Sequence, residues 1–362
     1  MVVLLVGLPL FGIFLDGKPV GRYLEFPPLT RYVEHTGFSW LAFIGLAVFL
    51  ALLLGPFLVS TGKAEKRVQF AYFKGRPFPW WGWGGAGLIV LAWVLAWTRF
   101  PWFSSLQPFT FSPLWLGYIV VVNALAFSRT GSCMMLDRPR YFLSLFLLSA
   151  AFWWFFEYLN RFVQNWYYVG GGDFTPFEYV VHATLPFSTV LPAVLGTTEW
   201  LKSFSRLSEA FGDLWPVWIR HPKAFGWIGL ILSSAGLMGI GIWPNALFPL
   251  LWVSPLLIIT SLQAIRGEST IFSGATKGDW RPIWLPALAG LICGFFWEMW
   301  NVNSLAHWEY AVPLVHRFEM FEMPLLGYAG YLPFGVECQV VADLLPHDGE
   351  QRAGFPSRLT KH

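Results

Sequence analysis

Charged residues are scarce in this chain: Lys, Arg, Asp and Glu together make up only 12% of its 362 residues. Soluble globular proteins carry about 25% charged residues, so the composition excludes an ordinary soluble domain. The net charge of +3 is too small, and the basic residues too dispersed, to indicate nucleic-acid binding. Hydrophobic residues reach 56% and include 22 Trp, which is typical of apolar helices whose ends lie at a membrane–water interface.

Cysteine is rare as well, with only Cys133, Cys293 and Cys338. These residues show no C-x-x-C pairing and no metal-like spacing with histidine, so we predict three structural thiols. A site built from His307, His316 and a glutamate would lack the H-E-x-x-H spacing of known zinc motifs. We therefore predict no metal site, and the sequence identifies no cofactor.

Ten apolar segments predict membrane-spanning helices, because a helix pairs every backbone N–H and C=O group within lipid. The first segment, Met1–Leu15, is short for a span and lacks the basic start of a signal peptide. The other nine lie near residues 38–60, 80–98, 112–128, 141–160, 178–200, 223–243, 246–265, 282–301 and 321–345. The prediction is an all-α, polytopic integral membrane bundle of about ten transmembrane helices, or nine if the first segment does not span.

Basic residues alternate between the predicted loops. One set of alternate loops, together with the C-terminal tail, holds 18 of the 24 Lys and Arg residues, and the opposite set holds six. Positive residues are retained in the cytoplasm. We therefore predict that the protein lies in the inner or plasma membrane of the cell and that its C-terminus is cytoplasmic.

Collinear matches indicate an internal repeat. FSPLWLGYIVVVNALAFSR at 111–129 aligns without gaps with FPLLWVSPLLIITSLQAIR at 248–266, and FFEYLN at 155–160 aligns with FWEMWN at 296–301. Each copy would hold four helices, so the copies would be parallel repeats related by an axis along the membrane normal. Chance similarity in a Trp- and Leu-rich chain is the alternative. The predicted parts are a leader with one or two helices at 1–75, four-helix repeats at 76–205 and 206–345, and a disordered cytoplasmic tail at 346–362.

The repeat pairs two acidic motifs. Glu157 is followed one helical turn later by Asn160, and Glu298 is followed in the same way by Asn301. Charged groups within a membrane are expensive and usually face protein or water. We therefore predict Glu157 and Glu298 as catalytic residues and the asparagines as substrate-binding residues. The alternative is that all four cap helix ends.

Aromatic residues follow both motifs, and Trp166, Trp308 and Tyr310 are predicted to contact a substrate. His182 joins them because it is the only histidine expected well inside a span. These residues would give the two acids a shared aromatic pocket on the outer side of the membrane.

Three more acids are candidates. Glu337 lies deeper, within LPFGVEC, and should face protein, which makes it a third catalytic candidate. Glu178 and Glu322 are predicted substrate-binding residues, with helix capping as the alternative because a carboxylate suits a helix N-terminus. The Pro and Gly residues between Pro324 and Gly335 suggest that the last helix is kinked or broken, which would line a cavity or allow close packing.

WYY at 166–168 followed by PFE at 176–178 resembles the aromatic and Pro-x-Glu signature of membrane lycopene cyclase domains, which also occur as tandem helical repeats. The resemblance implies an acid that protonates a polyene and aromatic rings that stabilise the cation. It covers about a dozen residues. The second copy reads EMP at 322–324, with the order reversed, and the family's double acid Pro-x-Glu-Glu is absent.

Three functions remain open at this point. An enzyme or binding protein for a hydrophobic, lipid- or isoprenoid-like molecule predicts a cavity that converges on Glu157 and Glu298. A structural or anchoring subunit of a larger membrane complex predicts a filled core and membrane-protein partners. A secondary transporter predicts an aqueous path lined by Glu337. Membrane lipids are expected partners, and nucleic acids are not.

Overall fold

A computed structural model of the chain describes residues 1–28, 30–65, 75–172 and 174–346. Helices dominate this part of the chain, and its strands form two short antiparallel ribbons. The tail predicted at 346–362 lies, from residue 347 onward, outside the described residues.

The helices are named in chain order. They are α1 (Val2–Leu15), α2 (Trp40–Glu65), α3 (Trp80–Trp97), α4 (Phe111–Thr130), α5 (Met134–Asp137), α6 (Pro139–Val163), α7 (Pro176–Phe187), α8 (Val190–Lys202), α9 (Ser205–Gly212), α10 (Pro222–Ile242), α11 (Pro244–Leu247), α12 (Ser254–Arg266), α13 (Arg281–Asn301) and α14 (Tyr331–Ala342). The strands are β1 (Trp166–Val169), β2 (His307–Tyr310), β3 (Glu319–Met320) and β4 (Met323–Pro324).

Seven helical segments of the described chain are long and apolar enough to cross a membrane. They are Trp40–Ser60, Trp80–Trp97, Gln107–Thr130, Pro139–Val163, Pro176–Lys202, Pro222–Ile242 and Arg281–Asn301. An eighth would be the pair Pro244–Leu251 and Ser254–Arg266, which is bent by 54°. Their length and apolarity confirm the all-α polytopic membrane bundle. Within the described chain there are seven or eight candidate spans, fewer than the nine or ten predicted. α1 is apolar but has only 14 residues, which is short for a span.

The last predicted span, at 321–345, is wrong over its first ten residues. Phe321 has a left-handed backbone with φ 58°, which turns the chain between β3 and β4. A 3-10 segment, Leu325–Gly330, follows, and α14 has only 12 residues. The segment is apolar enough for a helix, but the left-handed turn and Pro324, which has no N–H to donate, prevent one.

Glycines bring neighbouring helices into close contact. A Cβ on Gly82 of α3 would lie 2.5 Å from the Cβ of Ala124 in α4, and one on Gly226 of α10 would lie 3.1 Å from the carbonyl oxygen of Ser261 in α12. Small residues allow backbones to approach in this way within membranes. α3 and the pair of α10 and α12 flank a core built from α4, α6, α8, α13 and α14.

α2 stands apart from this core. It packs against α9 and the Leu325–Gly330 turn, and only 6% of the residues in its most apolar stretch are buried. Side chains of α2 and of the core line the two sides of a cavity that lies between them.

Candidate functional site

β1 and β2 form a ribbon that joins the loops after α6 and α13. Trp166 pairs with Tyr310, and Tyr168 pairs with Trp308. Residues directly opposite each other, and residues two apart, share one face of an antiparallel pair. These four aromatic side chains therefore lie on one face of the ribbon.

Two asparagines attach the ribbon to the helix ends. Asn160 donates from Nδ2 to the carbonyl of Trp166 at 2.7 Å and accepts at Oδ1 from the N–H of Asn165 at 2.8 Å. Asn301 donates to the carbonyl of Trp308 at 2.7 Å and accepts from the N–H of the same residue at 2.8 Å. Both side chains are fully buried. Asn160 and Asn301 therefore position the aromatic residues that follow them.

Glu157 lies beneath the first strand. Its Oε1 accepts hydrogen bonds from Trp153 Nε1 at 3.1 Å, Trp166 Nε1 at 3.1 Å and Tyr168 Oη at 2.5 Å. The residue is fully buried, and its Oε2 has no hydrogen-bond partner among the described residues.

Glu298 has a similar environment beneath the second strand. Its Oε1 accepts from Tyr310 Oη at 2.7 Å and from Tyr331 Oη at 2.5 Å. Trp308 Nε1 donates to Tyr310 Oη at 2.9 Å, so Trp308, Tyr310 and Glu298 form a chain of hydrogen bonds. Glu298 is also fully buried, and its Oε2 is also unpartnered within the described chain.

The surroundings of both glutamates favour neutral carboxylic acids. Within the described residues neither forms an ion pair with a basic side chain, and a buried carboxylate without a cation is strongly unfavourable. An oxygen that accepts two or three hydrogen bonds acts as the carbonyl oxygen, so the acid proton belongs on Oε2. Each acid then holds a buried O–H group that has no acceptor within the described chain.

A cavity of about 1100 Å³ lies against this aromatic wall. Hydrogen-bond partners of both acids line it: Trp153, Trp166 and Tyr168 for Glu157, and Tyr310 and Tyr331 for Glu298. Glu157 and Glu298 do not line the cavity themselves, so both acids reach it only through these partners. Asn160 and Asn301 do not line it either, and their side chains bond to backbone instead of facing a substrate.

The cavity is long and mostly apolar. It reaches Glu25 and the Gly170–Gly172 loop beside the ribbon, and Phe57 of α2 at the far end. Along α13 it contacts residues from Ile283 to Trp297, a stretch of roughly 20 Å at 1.5 Å per residue. At the far end Phe57 packs on Trp215, Trp280 and Trp284.

The predicted site residues divide into those that meet this cavity and those that do not. His182 lines it and makes a 2.9 Å hydrogen bond with the carbonyl of Pro108. Glu178 does not line it: with Thr175 it forms a capping box that opens α7, so the capping alternative holds for this residue. Glu322 lies in the turn between β3 and β4, so the idea that it opens a helix is wrong. Burial and nearby Glu309 raise the pKa of Glu322.

Glu337 is fully buried in α14 and so faces protein. This agrees with the prediction, which rested on the high free energy of an acidic side chain exposed to lipid. Neither of its carboxyl oxygens has a hydrogen-bond partner within the described chain. It does not line the cavity, although its neighbour Val336 does. The structure therefore does not bring Glu337 together with Glu157 and Glu298 through shared partners.

The opposite face of the ribbon carries a polar cluster. Tyr167 donates a hydrogen bond to Glu309, whose other oxygen lies 3.5 Å from His307 Nε2. Burial and the neighbouring Glu309 carboxylate raise the pKa of Tyr167 to about 12. His316 forms a separate 3.1 Å pair with Glu319. No group of three His, Cys, Asp or Glu side chains among the described residues could hold a metal ion.

Three of the five donors to the acids, Trp153, Tyr168 and Tyr331, are not among the site residues predicted from the sequence. Trp153 had a detectable signal, because it lies one helical turn before Glu157 on the same face. Tyr168 belongs to the aromatic cluster after α6 but was not selected. Tyr331 is separated from Glu298 by 33 residues, and only the folded chain shows their contact.

Comparison with known proteins gives no significant match to a protein-family model, to a curated protein or to a solved structure. The geometry of the site is therefore the basis for any functional conclusion.

Proposed function

We propose that the protein binds an elongated hydrophobic molecule of the lipid or isoprenoid class in the aromatic cavity, with its reactive or polar end towards Glu157 and Glu298. The observation that carries this proposal is the cavity itself, which is about 1100 Å³ in volume and apolar along most of its length. Ligand sites of this kind combine an apolar wall with a few fixed polar groups. Here Tyr168, Tyr310 and Tyr331, whose hydroxyl groups are fixed by the two acids, supply those groups on the wall.

The two rival functions have less support. A purely structural subunit would need no large cavity beside its acids, and the core beneath α2 is not filled. A transporter path at Glu337 would need that residue, or a hydrogen-bond partner of it, on the cavity wall. Glu337 does not line the cavity, and neither of its carboxyl oxygens has a partner within the described chain. Binding alone fits the site directly, whereas acid-assisted conversion would also need a proton to pass from the acid through a tyrosine hydroxyl on the wall.

The tandem repeat is part of the proposal. If Trp166 and Tyr168 correspond to Trp308 and Tyr310, a twofold axis that exchanges the copies must pair Trp166 with Tyr310 and Tyr168 with Trp308. The ribbon has this register, and Tyr167 lies opposite Glu309, the residue that corresponds to it in the proposed repeat.

The glycine contacts point the same way. Ala124, which contacts Gly82, corresponds to Ser261, which contacts Gly226, in the ungapped alignment of 111–129 with 248–266. The alternation of loop charge would place the ribbon outside and the C-terminus in the cytoplasm of an inner or plasma membrane.

Lipid occupancy tests the proposal. Gly330 lines the cavity, and a Cβ there would meet no atom within 4 Å, so Gly330→Phe should fill the cavity without straining the fold. Wild-type protein purified in mild detergent should carry a bound lipid, detected by native and lipid mass spectrometry, and this variant should lose it. Gly87→Phe is the matched control, because Gly87 is exposed on α3, has equal free space and does not line the cavity. Equal lipid occupancy in all three proteins would refute the proposal.

A further inference from the structure

Neither Lys nor Arg is among the described residues that line the cavity. Glu25 is the only acidic residue among them. Phosphate groups are recognised by Arg, Lys or clustered backbone N–H groups. Such a wall disfavours a phosphorylated lipid.

Arg161 is the basic residue to weigh against this, because it lies behind Pro27, which lines the cavity. Its guanidinium donates to the carbonyls of Arg22 at 3.1 Å and Pro27 at 3.3 Å. The side chain is only 7% exposed, and Glu25 is close enough to offset its charge. Arg161 is therefore held by the backbone and is not presented to the cavity.

The same end of the cavity offers an unused acceptor. Asn165 lines the cavity, is 4% exposed, and its side-chain Oδ1 has no hydrogen-bond partner within the described chain. Its backbone is fixed on both sides, because its N–H donates to Asn160 at 2.8 Å and its carbonyl accepts from Ala311 at 2.8 Å. A buried acceptor of this kind calls for a donor on the ligand.

From these observations we propose that the ligand is a neutral lipid with a terminal hydroxyl group, such as an isoprenoid or other long-chain alcohol, and not its phosphate. This inference rests on the proposed function and narrows its ligand class. A hydroxyl group can donate to Asn165 and needs no cationic partner. A phosphate would bring negative charge beside Glu25 with no basic partner.

A matched pair of probes tests the inference. Geranylgeraniol and geranylgeranyl monophosphate have the same chain and differ in the head group. Their binding to the full-length protein in mild detergent can be compared by native mass spectrometry at low salt. We expect the alcohol to bind at least about tenfold more tightly, and Asn165→Leu to weaken alcohol binding about fivefold, as the loss of one hydrogen bond would. Asn303→Leu, at an exposed position outside the cavity wall, should leave it unchanged.

A charge reversal sharpens the test. In Glu25→Lys the ratio of alcohol affinity to phosphate affinity should fall at least threefold. Glu34→Lys adds the same charge at an exposed residue outside the cavity wall and should leave this ratio unchanged. Equal or tighter binding of the phosphate by wild-type protein would overturn the inference, as would equal effects of the two lysine variants. If neither probe binds but Gly330→Phe still removes a co-purified lipid, the alcohol assignment alone fails. If that lipid difference is also missing, the proposed function fails with it.

Discussion

Glu157 and Glu298 correspond to each other in the proposed repeat, but their hydrogen-bond donors come from different elements. Glu157 is held by Trp153 of its own helix and by two residues of β1. Glu298 is held by one residue of β2 and by Tyr331, at the start of α14. The first half builds its site mostly from local sequence, whereas the second depends on contact between distant segments.

In the proposed repeat a single exchange accounts for this difference. If the alignment of 155–160 with 296–301 is extended upstream without gaps, Trp153 corresponds to Gly294. A Cβ on Gly294 would lie 2.3 Å from the ring of Tyr331, so the missing side chain leaves the space that this ring occupies. The two halves thus reach the same result, an aromatic donor to the buried acid, by alternative routes.

The helix crossings beneath the acids differ in the same way. In the first half Ser149 of α6 donates to the carbonyl of Phe187 at 2.6 Å and accepts from the N–H of Leu191 at 3.0 Å. In the proposed repeat, with the same alignment extended upstream, the corresponding residue of α13 is Gly290, where a Cβ would lie 2.4 Å from the carbonyl oxygen of Tyr331. One crossing is joined by a hydroxyl group, and the other by direct backbone contact.

Gly290→Ser should give the largest effect, because it places the residue of the first half where the second half has no space. Overpacking against backbone should lower the free energy of unfolding by about 3 kcal/mol. Thermal or denaturant unfolding in detergent measures this loss. Gly87→Ser, where a Cβ meets no atom within 4 Å, should be almost neutral. Equal stability of the two variants would show that the crossing is not close-packed.

Ser149→Ala tests the crossing of the first half and should have a smaller effect. It removes one donor and one acceptor from buried backbone groups, at a cost of about 2 kcal/mol. Ser144→Ala is the control in the same helix, because Ser144 donates only to the carbonyl of Tyr141 within α6. We expect the control to retain nearly full stability. A cost in Ser149→Ala no larger than that of the control would contradict the role of this hydroxyl group.

Removing a phenol from each acid compares the sites directly. Tyr331→Phe leaves Glu298 with one described donor and should cost about 1.5 kcal/mol, whereas Tyr168→Phe leaves Glu157 with two and should cost about 1 kcal/mol. Tyr32→Phe, at an exposed position, controls for loss of a phenol. A larger loss in Tyr168→Phe than in Tyr331→Phe would reverse the comparison.

The parts that sequence predicted well are those set by composition and local spacing. Apolar length predicted the bundle, and the turn between Glu157 and Asn160 predicted that both would lie near the aromatic cluster that follows α6. The predicted span at 321–345 was wrong over its first residues because hydropathy carries no information about the left-handed backbone of Phe321. Tyr331 and the cavity under α2 were beyond reach, because both arise from packing between segments far apart in the chain.

Glu157→Gln and Glu298→Gln should have the smallest effects on stability, and nearly equal ones. A neutral acid and an amide have the same shape, and both can accept at the oxygen that receives the aromatic donors. If both acids are neutral, each substitution should change the free energy of unfolding by less than about 1 kcal/mol. Each should also remove part of the infrared C=O band of protonated carboxyl groups at neutral pH. A variant that leaves this band intact identifies an ionised glutamate, and would show that the two halves differ in charge as well as in the origin of their donors.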